Sequence, residues 1–128
     1  MEKKVFGYPT FDENGEKILT TYDNEYRDML MDIRVYRLKS GQKRTFLREG
    51  EETAVLLLSG KITFSWEGNS ETVSRKDVWT EGPYALHVSS GTEVTVEAAA
   101  DSEILVQCTH NDKAFAARLY EPKDAPWG

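Results

Sequence analysis

The chain has 128 residues, of which 39% are hydrophobic and 30% charged, with a net charge of −6. This length and composition indicate one soluble domain with its own core, and no apolar run approaches the roughly 20 residues needed to cross a bilayer. The basic residues are dispersed, so nucleic-acid binding is disfavoured. Charged residues interrupt every apolar stretch of residues 1–20 and leave no secretory signal core, so we expect a cytosolic protein without a membrane partner.

The two ends of the chain differ from its middle. Residues 1–16 are polar and turn-rich, with Asn14-Gly15 as a tight turn, and we assign them to an N-terminal strap. Residues 121–128 carry two prolines and are predicted to form a surface tail. Residues 17–120, between the strap and the tail, are predicted to form a single β-barrel domain. Its single cysteine, Cys108, lies in an apolar strand pattern, so we expect a buried, unreactive thiol and no internal disulfide.

The middle of the chain predicts an all-β domain. Residues 33–38 alternate between apolar and polar side chains, which is the mark of a half-buried strand. Residues 54–58 are a continuous apolar run typical of a central strand, which Ser59-Gly60 is expected to end. Residues 113–120 fit either a last strand, which we favour, or a short helix. Strands are also predicted at 45–48, 62–66, 72–73, 77–79, 84–88, 93–97 and 103–108, with a hairpin turn at 67–69. Turn-punctuated strands at this spacing favour a sandwich or a barrel.

Five residues carry the spacing of a known barrel signature, G-x5-H-x-H-x3-E-x6-G. They are Gly41, Leu47, Glu49, Thr53 and Gly60. The spacing resembles the first motif of the cupin barrels, also called double-stranded β-helix or jelly-roll barrels, in which the histidines and the glutamate bind a metal ion. Here Leu47 and Glu49 stand at the two histidine positions and Thr53 at the glutamate position. The turn-forming glycines are kept, whereas the ligands are replaced.

The second cupin motif is altered in the same way. The tripeptide 89–91 stands where that motif has Pro-x-Gly, and Val94 stands where it has a histidine. We expect Leu47 and Val94 to fill the volume that an ion would occupy, so that this end of the barrel is filled rather than charged. Glu49 is the exception, and we favour a position facing solvent. Were it buried, it would need a basic partner, and the candidates are Arg44, Arg48 and Arg75.

Longer stretches carry a more specific resemblance. They are residues 35–38 with 41–42, then 55–61, 75–79 and 82–96. Together they resemble the N-terminal half of the 5-deoxy-glucuronate isomerases of inositol catabolism, to which the uronate ketol-isomerases of pectin breakdown are related. The resemblance implies one cupin barrel of a two-barrel architecture whose metal site and chemistry belong to the C-terminal barrel. No position of this chain matches that metal motif.

The histidines offer one alternative metal site. A mononuclear site needs three or four histidine or carboxylate side chains converging at about 2.0–2.2 Å from one ion. The chain has two histidines, and His87 is out of phase with its apolar neighbours on the predicted strand, so it is expected to face outward. An alternative site stays open, built from His87, His110, Glu49 and Glu97. We expect neither a metal ion nor a cofactor.

Four residues are the candidates for lining a ligand pocket. Arg75, Tyr84 and Tyr36 lie in stretches that match the isomerase family, and Glu49 stands at a motif position. Aromatic side chains on the inner wall of a barrel could stack on a sugar; the alternative is that they are core or dimer contacts. No catalytic residue is assigned.

Two functions follow from these observations. The first is a non-catalytic cupin domain that binds a sugar acid or serves as an assembly module, expected as a homodimer. The alternative is an active sugar-acid isomerase, an intramolecular aldose–ketose isomerase that acts as an oligomer or with a second, metal-bearing barrel. Such a reaction needs a metal ion clamping adjacent oxygens or a base poised for an enediol, and the sequence places neither.

Overall fold

Nine β-strands make up the regular structure of the described part of the chain. The structure, a computed structural model, describes residues 10–20, 31–77 and 81–122. The strands are β1 (Glu16–Thr20), β2 (Met31–Leu38), β3 (Lys43–Phe46), β4 (Glu51–Trp66), β5 (Asn69–Arg75), β6 (Tyr84–Val88), β7 (Val94–Ala98), β8 (Ser102–His110) and β9 (Arg118–Tyr120). Within these ranges no helix has the length and apolar character needed to span a membrane.

The strands form two antiparallel layers that share the long strand β4. In the larger layer the order is β1-β2-β8-β4-β6-β9. In the smaller layer β3 pairs with β7, and β4 pairs with both β7 and β5. The first half of β4 pairs with β8 and β6, and its second half pairs with β5 and β7. A strand that passes from one layer to the other in this way closes the two layers into a barrel.

Gly60 lies where β4 changes layers. Sequence reasoning expected Ser59-Gly60 to end the strand, but β4 runs through it without a break. The register shifts between Leu57 and Ser59, and Gly60 follows with a φ of 108° that side chains rarely adopt. The glycine therefore bends one long strand instead of separating two short ones.

The core lies between the two layers. Along β4, Val55 and Leu57 point inward before the bend, and Ile62 and Phe64 point inward after it, all four fully buried. The extra residue at the bulge changes the inward positions from odd to even numbers, because side chains alternate along a strand. The same core cluster takes in residues of β2, β5, β6, β7 and β8. The all-β barrel predicted from the sequence is confirmed.

Most of the predicted strands are present, with shifted ends. The hairpin turn is confirmed, since Trp66 pairs with Asn69 across a two-residue loop in which Glu67 and Gly68 both have positive φ, as the common hairpin turn requires. Sequence reasoning missed β1. Of residues 113–120, only the last three form a strand. Part of the strand predicted at 77–79, the first nine residues of the strap and most of the tail lie outside the described residues.

Candidate functional site at the barrel mouth

The cupin-motif positions mark one end of the barrel, here called the mouth. Thr53 and Val94 face the interior there and are buried. Leu47 does not, because its side chain is 52% exposed, and Glu49 is exposed beside it. On β3 the less exposed positions are Arg44 and Phe46, so the next odd-numbered residue points outward. The prediction that Leu47 fills the ion's volume is therefore wrong, whereas Val94 lies inside as expected.

A row of inward side chains crosses the larger layer at the mouth. Asp32 on β2 pairs in register with Cys108 on β8, which pairs with Thr53 on β4. All three are less than 5% exposed. The Thr53 hydroxyl and the Cys108 sulfur are 3.7 Å apart. The predicted buried position of Cys108 is confirmed, and burial raises the pKa of its thiol.

Five charged residues then line the mouth, and we call them the mouth cluster: Glu16, Asp32, Arg34, Arg48 and Glu51. Arg34 donates to both oxygens of Asp32, from Nε at 2.8 Å and from Nη2 at 3.1 Å. Its Nη1 donates to Glu16 Oε2 at 2.8 Å. Arg48 Nη2 lies 3.7 Å from Asp32 Oδ2 and donates to Glu51 Oε1 at 2.9 Å.

The mouth is therefore charged, and the expectation that apolar side chains fill it is wrong. The physical reason is that β2 contributes Asp32 and Arg34 in phase with the buried Tyr36 and Leu38. A buried carboxylate is tolerated only when it is paired and hydrogen-bonded, and Asp32 has two guanidinium partners. The arrangement is a chain of ion pairs at the barrel end that the cupin-motif positions mark.

Tyr36 joins the mouth cluster to the barrel wall. Its hydroxyl donates to Glu16 Oε2 at 2.9 Å, its ring packs against Phe46 at 5.2 Å between centroids, and the Arg44 guanidinium lies 4.4 Å from the ring centre. Burial and the Glu16 carboxylate raise the pKa of Tyr36. Burial alone would favour neutral Glu16, but the hydrogen bonds from Arg34 and Tyr36 outweigh it and lower the pKa of Glu16.

The other candidate pocket residues lie elsewhere. Arg75 is 8% exposed and donates to the carbonyl oxygens of Leu57 and Glu81, at 2.8 and 3.1 Å. Tyr84 is half-buried and pairs in register with Leu57, so Arg75 and Tyr84 share Leu57 as a partner. Tyr36 lies on the same row as Tyr84 but three strands away, roughly 14 Å at the usual strand spacing. Glu49 stays in the exposed loop beyond the mouth.

Neither histidine contributes a side chain to the mouth cluster. His87 faces outward, as predicted, and lies 3.2 Å from Glu52 Oε2 with its ring 4.7 Å from that of Phe115. His110 is exposed at the end of β8. Glu97 is exposed on β7 in the other layer, so the alternative metal site is not brought together.

The motif positions do not fit a metal ion. Leu47, Thr53 and Val94 supply no strong ligand, and Glu49 is exposed in a loop. Across residues 10–20, 31–77 and 81–122, no three histidine, cysteine or carboxylate side chains converge as an ion would need. What the mouth offers is two guanidiniums and three carboxylates, held in fixed positions by one another.

Sequence reasoning missed the mouth cluster although a signal was present. Asp32, Arg34, Tyr36 and Leu38 share one face of a strand by alternation, and two of them are large hydrophobic residues that had to face the core. That parity places the two charged residues inside the barrel. The same argument applied to Phe46 predicts that Arg48 faces inward and Leu47 outward.

Solved structures share this barrel. An IolB-like protein from Salmonella typhimurium is similar with a TM-score of 0.69 and 20% identity over 73% of this chain and 37% of its own. The YlbA protein of Escherichia coli gives 0.67 and 18%, covering 93% of this chain and 50% of its own. A cupin 2 domain-containing protein from Halorhodospira halophila gives 0.60 and 12%, covering 90% and 75%. These similarities show the fold, and the predicted cupin barrel is confirmed.

Sequence comparison gives the family. A search of curated proteins found no match. A profile of the KduI/IolB family matches residues 7–127, nearly the whole chain. This agrees with the resemblance seen in the sequence, although the chain spans only 37% of the length of the IolB-like structure. The chain thus belongs to the KduI/IolB family, which includes 5-deoxy-glucuronate isomerase.

Proposed function

We propose that this chain is a cupin domain that binds a sugar acid at the barrel mouth through arginines and carboxylates instead of a metal ion. One observation carries the proposal: the mouth holds a hydrogen-bonded row of charged side chains where the cupin motif would hold an ion. Family membership supports a sugar acid as the ligand class, because the family includes an isomerase of 5-deoxy-glucuronate.

The mouth cluster has the chemistry that a sugar acid needs. Such a ligand carries one carboxylate, which pairs best with the planar fork of an arginine, and several hydroxyls, which donate to carboxylates and accept from N–H groups. The side chains of Arg34 and Arg48 are 27% and 31% exposed, so both guanidiniums reach solvent. Arg48 Nη1 makes no hydrogen bond within the described residues.

The charges in and beside the cluster balance. Three carboxylates (Glu16, Asp32, Glu51) face three guanidiniums (Arg34, Arg48 and the neighbouring Arg44). A balanced site has little net attraction for a simple anion. It favours a ligand that offers a carboxylate together with hydroxyl donors, which is the pattern of a uronate.

Replacing Arg34 with methionine tests the proposal. Titration of the protein with glucuronate by isothermal calorimetry is expected to show saturable binding, and Arg34→Met should weaken it about 10- to 100-fold, since a hydrogen bond to a charged group contributes roughly 1.5–3 kcal/mol. Arg34→Lys keeps the charge but not the planar guanidinium fork, so its affinity for glucuronate should lie between those of wild type and Arg34→Met.

The control is Arg118→Met, which removes an exposed arginine from β9 and should leave the affinity unchanged. Circular dichroism on each variant separates a lost ligand contact from a lost fold. The proposal is overturned if wild-type protein does not bind glucuronate, or if folded Arg34→Met binds it as tightly as wild type does.

Family membership supports a second function, an active sugar-acid isomerase that acts with a second, metal-bearing barrel. Affinity purification of the tagged chain from its native cells would then recover a second cupin protein carrying a His-x-His motif. Recovery of homodimers alone would favour the binding domain.

A further inference from the structure

A second cleft lies at the side of the barrel, at the far end of β2 from Asp32. It has a volume of about 640 Å³. Its walls are the turn before β1, the end of β2, and the start of β3, with residues 11–16, 37–39 and 42–44 lining it. We call it the side cleft. Four basic residues line it, although the protein as a whole is acidic: Arg37, Lys39, Lys43 and Arg44.

Most of the acidic groups of the side cleft are already engaged. The Asp12 carboxylate accepts hydrogen bonds from the backbone N–H groups of Asn14 and Glu16, at 2.8 and 3.0 Å, and these bonds help to lower its pKa. The Glu16 carboxylate accepts from Arg34 and Tyr36. Asp12 and Glu13 are both exposed, and of the two only Glu13 makes no hydrogen bond or ion pair among the described residues.

The basic groups are less completely engaged. Arg37 pairs with Glu103 at 3.3 Å, and Arg44 donates to the carbonyl oxygen of Asn14. Lys39 and Lys43, by contrast, have exposed side chains and no ion pair within residues 10–20, 31–77 and 81–122. Lys43 stands opposite Glu97 in register, yet no ion pair joins them.

From this we infer that the side cleft binds a small dianion, of the phosphate or phosphate-ester class, between Lys39 and Lys43. The two ammonium groups, on the segment after β2 and on β3, supply up to six N–H donors. Gln42 lines the same cleft, and its side-chain oxygen accepts from Lys39 N–H at 2.8 Å, which leaves its NH2 group as a further donor. Arg44 adds positive charge at the inner wall. The side cleft borders the mouth cluster at Glu16 and Arg44, but the inference does not depend on the function proposed there.

Titration of 15N-labelled protein with inorganic phosphate, followed by NMR, tests this inference. Saturable shifts are expected in the backbone amides of residues 12–15 and 39–44, with none of comparable size around Asp32. The double variant Lys39→Gln, Lys43→Gln should weaken phosphate binding roughly tenfold or more, because both charge-assisted contacts are lost. Glu13→Gln should strengthen it, since an exposed carboxylate of the cleft that accepts no hydrogen bond no longer repels the anion.

The matched control removes the same charge elsewhere. Lys61→Gln with Lys113→Gln lowers the net charge by two and should change the phosphate affinity by less than about twofold at 0.15 M salt, where surface charges more than about 8 Å away are screened. Equal weakening in the control and the cleft variant would overturn the inference, as would identical shifts when chloride replaces phosphate at the same ionic strength.

Discussion

Replacing Asp32 with alanine is expected to destabilise the protein by about 3 kcal/mol, because breaking a buried ion pair leaves an uncompensated charge. Asp32 is 4% exposed and accepts two hydrogen bonds from Arg34 while lying 3.7 Å from Arg48. Both arginines keep a second carboxylate and some contact with solvent, which places the expected loss at the lower end of the range for buried pairs. Urea denaturation followed by tryptophan fluorescence measures it.

The control for this variant is the ion pair on the outer surface. Glu103→Ala removes the partner of Arg37 in a pair whose side chains are 36% and 56% exposed, so it should cost less than about 1 kcal/mol. The double variant Asp32→Ala, Arg34→Met should lose less unfolding free energy than the sum of the losses in the two single variants, because Asp32 and Arg34 interact directly. If Asp32→Ala costs no more than Glu103→Ala, the cluster is not a buried network.

Gly60→Ala should also cost about 3 kcal/mol, for a steric reason. A Cβ atom at Gly60 would lie 2.6 Å from the Asp101 carbonyl oxygen and closer still to the Ser102 side chain, and the φ of 108° adds about 1–2 kcal/mol of backbone strain. Ser102 is buried and its hydroxyl accepts from Lys61 N–H at 3.0 Å. The added methyl group would therefore push β8 away from the bend of β4.

Gly41→Ala distinguishes the cost of backbone strain from the cost of a steric clash. Gly41 has a φ of 92°, and an added Cβ would meet nothing within 4 Å, so only the backbone term of about 1–2 kcal/mol is expected. The free energy of unfolding of both variants is read from urea denaturation. Similar losses for the two would show that β4 and β8 do not approach closely at the bend.

The fold was predictable because its signals are local. Alternation identified β2 and β6, and the apolar run at 54–58 identified the central strand. The continuity of β4 was not predictable, because a Ser-Gly pair looks the same whether it ends a strand or bends one. Only the approach of Ser102 from a distant strand decides between the two.

The mouth was predicted less well than the fold. Motif spacing assigned Leu47 to the interior, but a motif counts positions and does not follow the alternation of the strand that carries them. Val94 was placed correctly because it lies on a regular strand. The members of the mouth cluster come from β1, from β2, from the loop before β4 and from β4 itself, and no local pattern predicts such a meeting.

The altered cupin motif therefore shows that the metal-ligand positions are replaced, and it does not show that this end of the barrel has lost its polar groups. The ligand positions are replaced, but the same barrel end keeps a dense set of charged groups. Arginines and carboxylates bind carboxylates and hydroxyls directly, which is the part of sugar-acid recognition that needs no ion. These groups fit the sugar-acid recognition that we propose for the mouth.

The most direct test is glucuronate binding before and after removal of metal ions. Wild-type protein is dialysed against EDTA, its metal content is verified by elemental analysis, and the calorimetric titration is repeated with and without added Mn²⁺ or Zn²⁺. Recognition by the mouth cluster predicts the same dissociation constant in every case. Loss of binding after EDTA treatment, restored by a stoichiometric amount of either ion, would contradict it.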